Sequence, residues 1–178
     1  KVDNSPTNDY VLTAKSSAAG GLTWAAASSS PDWQSFQGEM VGDQTVSNTT
    51  WTRVKFNAQN WDTNDNYLHT TDNWYYAAPA AGKYWYKVSL KINGTGATTE
   101  LDVALYKSAG GTGTYTLEKK TQRWRTTPNG GAFMVQTTGL IALSASDRVA
   151  AYAWHNSGSD KSLDDNWCLF EMFKLDGA

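Results

Sequence analysis

The sequence predicts an all-β chain, an antiparallel jelly-roll β-sandwich of about ten strands. Three observations carry this. Short segments with two-residue alternation recur, separated by Gly, Asn, Asp, Ser and Pro. No segment sustains a helical period. The 178 residues include 9 Trp, 9 Tyr and 15 Gly, a composition of pleated strands and tight turns.

Taken in order, residues 1–30 hold two short apolar pieces, "YVLTA" and "GLTWAAA", among small residues. They cannot bury much surface alone, so a linker or stalk end is expected there, with an ordered edge strand as the alternative. Residues 31–178 are expected to form the sandwich domain. "WQSFQGEMV" opens it, and "TTWTRVKFN" alternates Trp51, Arg53 and Lys55 against Thr52, Val54 and Phe56. Next comes "YYAAPAAGKYWYKVSLKI", where Pro79 ends one strand because it cannot donate to a ladder, and Gly82 is expected to permit the reversal. The strand that follows lays Tyr84, Tyr86, Val88, Leu90 and Ile92 on the core and turns Trp85 outward with the lysines. "TELDVALYK" presents Leu101, Val103 and Leu105 on one face. "YTLEKKTQRWRT" and "AFMVQTTGLIAL" follow, on either side of "PNGG".

Two strands, "RVAAYAWHN" and "WCLFEMFKL", are apolar on both faces. A strand with one solvated face is polar on that face, so a second subunit is expected to cover these. The expected oligomer contact uses Tyr152, Trp154, Cys168, Phe170 and Met172. Glu171 shares a face with Trp167, Leu169, Phe173 and Leu175, so it needs a cation, with Arg148, Arg123 and Arg125 as candidates.

Several function classes recede. The formal net charge of -2 gives no electrostatic case for nucleic acid. No apolar run is long enough for a membrane span. Cys168 excludes an internal disulfide and is expected to be a buried, inert thiol. His69 and His155, the only histidines, are expected on the surface or in loops. "DTNDNYLHTTDN" fails as an EF-hand loop, because Tyr67 stands at its glycine position and Asn73 at its glutamate position. No metal or cofactor is expected. A looser calcium site on Asp62, Asp65 or Asp72 stays open.

"NYLHTTDNWYYAAPAAGKYWYKVSLKI" resembles the central strands of C1q-like domains, of the tumour-necrosis-factor-like jelly-roll superfamily. Asn66, Tyr67, Tyr75, Pro79, Gly82, Tyr84 and Tyr86 carry the pattern. Downstream, "GLIALSASDRVAAYAWHN" is similar to the family's leucine-rich strand, Gly-Asp and apolar strand, with Ser146-Asp147 in place of Gly-Asp. The resemblance implies a homotrimer, with calcium bound near the trimer apex in some members. The N-terminal segment resembles those that precede terminal domains in structural proteins of tailed bacteriophages.

The function expected from these readings is a non-enzymatic trimeric recognition module, the distal receptor-binding domain of a phage fibre. It would act on a virion or outside the cell, binding a host-surface glycan or protein. A monomeric carbohydrate-binding module and a purely structural trimerisation cap are the alternatives. The expected ligand site is a long loop from Asn60 to Trp74, holding Trp61, Asp62, Asp65, His69 and Trp74. There the aromatic rings would stack on a sugar and the polar groups take its hydroxyls.

Overall fold

The computed structural model describes residues 10–15, 17, 20–26, 34–70, 73–95, 99–125 and 131–175. The chain divides into two units, Lys1–Asp32 and Trp33–Ala178. In the first, β1 (Tyr10–Ala14) and β2 (Leu22–Ala26) pair antiparallel, Tyr10 opposite Ala26 and Ala14 opposite Leu22. Tyr10, Val11, Leu12 and Leu22 of this hairpin are exposed.

The second unit begins with β3 (Ser35–Glu39), β4 (Gln44–Val46), β5 (Thr52–Arg53), β6 (Ala58–Asp62), β7 (Tyr67–Thr70) and β8 (Asn73–Ala77). It continues with β9 (Gly82–Thr95), β10 (Thr99–Ser108), β11 (Thr116–Arg125), β12 (Gly131–Leu143), β13 (Arg148–His155), β14 (Lys161–Leu163) and β15 (Leu169–Leu175). Among the described residues this unit therefore holds thirteen strands where about ten were expected, and the chain fifteen. The additions are mostly short. β6, β7 and β14 lie in Asn- and Asp-rich stretches whose composition signals turns, and pairing overrides that local preference, with distant strands for β6 and β14 and with neighbouring β8 for β7.

Two sheets face each other. One runs β11-β10-β13-β8-β7, with β5 also on β13. The other runs β4-β14-β9-β15-β3-β6, with β12 also on β9. The alternation read in β9 holds throughout: Tyr84, Tyr86, Val88, Leu90 and Ile92 are buried, while Lys83, Trp85, Lys87 and Lys91 face outward. Leu101, Val103 and Leu105 of β10 are buried as expected, together with Val149, Ala151 and Ala153 of β13. An aromatic group sits between the sheets. Phe36 stacks on Tyr67 at 4.1 Å and meets Phe170 edge-on at 5.4 Å. Each such burial is worth roughly 1.5–3 kcal/mol over exposure.

Four expectations are corrected here. Cys168, Phe170 and Met172 do not form an oligomer contact: they are buried in the chain's own core. Both faces of β15 are apolar, so the sequence alternation cannot say which is inside, and pairing with β3 and β9 turns this face inward. His155 is fully buried rather than in a loop. Its Nε2 donates to the Val46 carbonyl at 2.9 Å, and its Nδ1 accepts the Ser157 N–H at 3.3 Å, so the ring ties β4 to β13. The long loop from Asn60 to Trp74 instead contains parts of three strands, with a turn between β6 and β7. Gly82 does not take a left-handed φ; a Cβ there would lie 3.3 Å from Lys174 Cε, so its role is one of space. Left-handed φ falls instead on Ser146, at 69°, where the family resemblance placed a glycine.

Candidate functional site

β6 belongs to the seven-stranded sheet and β7 and β8 to the six-stranded one, so the residues expected to bind ligand are split between sheets. Trp61 sits opposite Gln37 and is 43 % exposed. Asp65 occupies the connecting turn, exposed and with φ 51°. His69 stacks parallel on Tyr67 with centroids 6.4 Å apart and lies opposite Trp74 across the β7–β8 ladder. Trp74 is half-buried, with Lys55 Nζ 6.0 Å from its ring.

Asp62 leaves this set. Its Oδ2 accepts the Tyr67 N–H at 2.6 Å and the Gln59 amide at 3.3 Å, so the carboxylate braces the turn from inside. Burial raises its pKa, against the pull of the Tyr67 and Asn66 backbone N–H groups. Tyr67 is core, 2 % exposed. Among the described residues no group of three or more His, Cys, Asp or Glu gathers to hold a metal; Asp72 lies outside them. Burial pushes the Cys168 thiol up to about 12, which removes it as a nucleophile.

The outward faces of the two sheets differ. That of the seven-stranded sheet carries Trp167 (53 % exposed), Leu140 (54 %), Met134 (37 %) and Leu175 (39 %), beside half-buried Leu169 and Phe173. Trp85 and Phe173 pair at 5.5 Å. Glu171 crosses this face as expected for a partnered acid, but its partners are Lys87 at 3.3 Å and Gln37 at 2.6 Å. Of the candidate arginines, neither Arg148 nor Arg123 serves. Lys87 and Gln37 stand directly opposite Glu171 on β9 and β3, whereas Arg148 lies on the other sheet and Arg123 donates to the Met134 carbonyl. The side chain of Arg125 is outside the described residues, as is that of Trp124. Two clefts open on this face, of about 310 Å³ and 250 Å³, both lined by Met134 and Trp167.

The six-stranded sheet turns out Tyr106, Tyr152 and Trp154, each half-buried. Tyr152 and Trp154, assigned above to an oligomer contact, do lie on an outward face, within an aromatic array of this same chain. Tyr152 meets Tyr106 at 4.4 Å, and Trp51 lies between Tyr106 and Trp154 at 5.7 Å and 6.5 Å. Sequence reasoning passed over Tyr115 on this side, gave Arg53 no binding role, and assigned Arg148 to Glu171. Nothing in their local pattern marks them, since they come from separate strands and turns.

The architecture is a jelly roll of the C1q and tumour-necrosis-factor type. The second unit's fold is shared with solved proteins of low sequence identity. The Eiger TNF of S. frugiperda matches with a TM-score of 0.63 at 14% identity, over 84% of this chain and 96% of that one. Murine APRIL at pH 5.0 matches with a TM-score of 0.60 at 12% identity, over 81% and 100%. The globular domain of the zebrafish complement 1qA protein matches with a TM-score of 0.59 at 16% identity, over 81% and 98%. At these identities the likeness is one of fold. No family model matches the sequence, and no curated protein does.

Proposed function

We propose that residues 33–178 act as a non-enzymatic homotrimeric recognition module, the distal domain of a phage fibre that binds a host-surface glycan or protein outside the cell. The observation that carries the assembly is the outward face of the seven-stranded sheet. Trp167, Leu140, Met134 and Leu175 expose apolar area there although the core behind them is complete. Monomeric proteins rarely leave such a patch uncovered. Copies of the same face, packed around an axis, cover it in the manner the C1q-like resemblance implies. The contact is thus moved from the residues first expected to the opposite face of β15.

Recognition is assigned to the sandwich end that carries Trp61, Asp65, His69 and Trp74. Recognition side chains sit best on turns held by a rigid scaffold, and Asp65 occupies such a turn. The exposed hairpin of β1 and β2 is read as the stalk end, since a two-stranded sheet with apolar residues in water is marginal alone. Binding of the Trp61→Ala/Asp65→Ala double variant to host cells or a glycan array tests the recognition half. The expected result is lost binding with unchanged solution mass and melting temperature. Unchanged binding contradicts the site, and a fall in stability in step with binding makes both residues structural.

A further inference from the structure

The outward face of the six-stranded sheet holds two guanidinium groups among tyrosines. Arg53 donates from Nε to the Tyr152 hydroxyl at 2.9 Å, and its Cζ lies 4.4 Å from the Tyr115 ring centroid. Arg148 Cζ lies 4.5 Å from the centroid of Tyr75. Among the described residues every ion pair is made by a lysine, and neither arginine has a carboxylate within 4.0 Å. The acid next to Arg148 in the chain is committed elsewhere. Asp147 Oδ1 accepts the Gly110 N–H at 2.8 Å, and Oδ2 accepts the Ser144 N–H at 2.9 Å and faces Lys107 at 3.8 Å. The Tyr115 hydroxyl is buried without a hydrogen-bond partner. Burial raises its pKa, while the charges of Arg53 and Arg148 both pull it down.

Against Arg148 opens a cleft of about 490 Å³, lined by Asn66, Leu68, Tyr75, Gly111 and Ser146 among others. That is the size of a small-ligand pocket, typically about 300–1,000 Å³. Gly111 has φ 69°, and a Cβ there would lie 3.0 Å from Arg148 Nε. The turn backbone thus closes on the guanidinium as only glycine allows. An arginine stacked on an aromatic ring uses its face and keeps its in-plane N–H fork for a two-oxygen anion.

We propose that this cleft binds the carboxylate of an acidic sugar, with Arg148, seated on buried Tyr75, taking the anion, Leu68 lying against the ring, and Asn66 and Ser146 meeting its hydroxyls. The site uses none of Trp61, Asp65, His69 or Trp74. The choice of an anion rests on the arginines, while the choice of a sugar rests on the glycan-recognition reading above.

The test is calorimetric titration of the whole chain at low salt with trigalacturonic acid and sialyllactose, each as the free acid and as its methyl ester. At least one acid is expected to bind, and its ester to bind about tenfold more weakly or worse, because the charge-assisted pair is lost. Arg148→Gln is expected to show the same loss for the acid, and Lys119→Gln, which removes an exposed cation outside the cleft, none. Absence of binding by both acids, or equal binding of acid and ester, overturns the proposal. Since the ester comparison uses the unaltered protein, it decides even where Arg148→Gln does not fold. A loss in Lys119→Gln as large as in Arg148→Gln marks a general charge effect and overturns the cleft; the loop reading stands or falls separately, on the host-cell and glycan-array binding of Trp61→Ala/Asp65→Ala.

Discussion

The two sheets solve the same problem on their inner faces and different problems on their outer ones. Inside, both supply alternating apolar residues to one core. Outside, the seven-stranded sheet pairs its charges across strands, as in Lys87 with Glu171 and Lys91 with Asp164, and leaves its apolar side chains bare. The six-stranded sheet also pairs its lysines, Lys107 with Glu118 and Asp147 and Lys120 with Asp102, and exposes Leu68 and Leu117. Its aromatic residues cover one another, while Arg53 and Arg148 stay without acids. A face with satisfied charges and bare apolar area suits another protein surface that excludes water. A face with covered aromatics and unmatched cations suits an anion that arrives and leaves. The difference separates assembly from recognition on one small sandwich.

The largest effect expected is on β15, where adjacent positions belong to the two sides. Phe170→Ala should destabilise the domain by about 3–5 kcal/mol through the cavity it opens among Phe36, Phe56 and Tyr67. Phe173→Ala, on the outward face, should cost about 1 kcal/mol or less in the dissociated chain. Urea unfolding of both variants checks this, and comparable losses would erase the distinction between inner and outer faces.

Two acids on the six-stranded side should act at opposite ends of the pH range. Glu100 has its pKa raised, first by burial, then by the charge of Asp102 and a hydrogen bond to it, against Lys120. A carboxyl raised in the folded state binds its proton more tightly there. Its stabilising effect is present below the unfolded value of about 4.3 and lost as pH rises through the folded one. For Asp147 burial works against ionisation, but the Gly110 and Ser144 N–H groups and Lys107 outweigh it and lower the pKa. Its contribution is present above the unfolded value of about 3.9 and lost as pH falls through the folded one. Melting temperatures measured from about pH 2 to 8 should show Glu100→Gln flattening the decline on the rising-pH side and Asp147→Asn flattening the acid limb. An unchanged acid limb in Asp147→Asn would contradict the second assignment.

The smallest effect is at the turn between β12 and β13. Ser146 holds φ 69° and donates its N–H to the Ala78 carbonyl at 2.8 Å. Ser146→Gly keeps that bond and relieves the left-handed strain, for an expected gain of about 0.5–1 kcal/mol after the extra chain entropy of glycine. Thermal unfolding measures it, and a loss of stability would mean the serine side chain matters more than its backbone.

What could be read in the sequence followed from how one-sided each strand is. β9 declared its inner face, because tyrosines and branched residues alternate with lysines and Trp85. β15 did not, because Trp167, Leu169 and Phe173 are as apolar as Cys168, Phe170 and Met172, and only its neighbours β3 and β9 decide. His155 looked like a loop residue, since the Val46 carbonyl that buries it comes from 109 residues away. The candidate site was partly legible. The exposure of Trp61 followed from its polar surroundings, but the inward turn of Asp62 depends on Tyr67 being core. The arginine cleft was not legible, because β7, β13 and the Ala109–Gly111 turn meet only through sheet pairing.

The central claim is that the bare face of the seven-stranded sheet assembles the protein. Light scattering at micromolar concentration, on the parent chain and on Leu140→Glu, tests it most directly. The parent should give three times its 19.5 kDa chain mass. Leu140→Glu should give the single-chain mass with the fold retained, since a charge on an exposed position harms only the interface. A monomeric parent, or a Leu140→Glu variant that keeps the full trimer mass, would contradict the account.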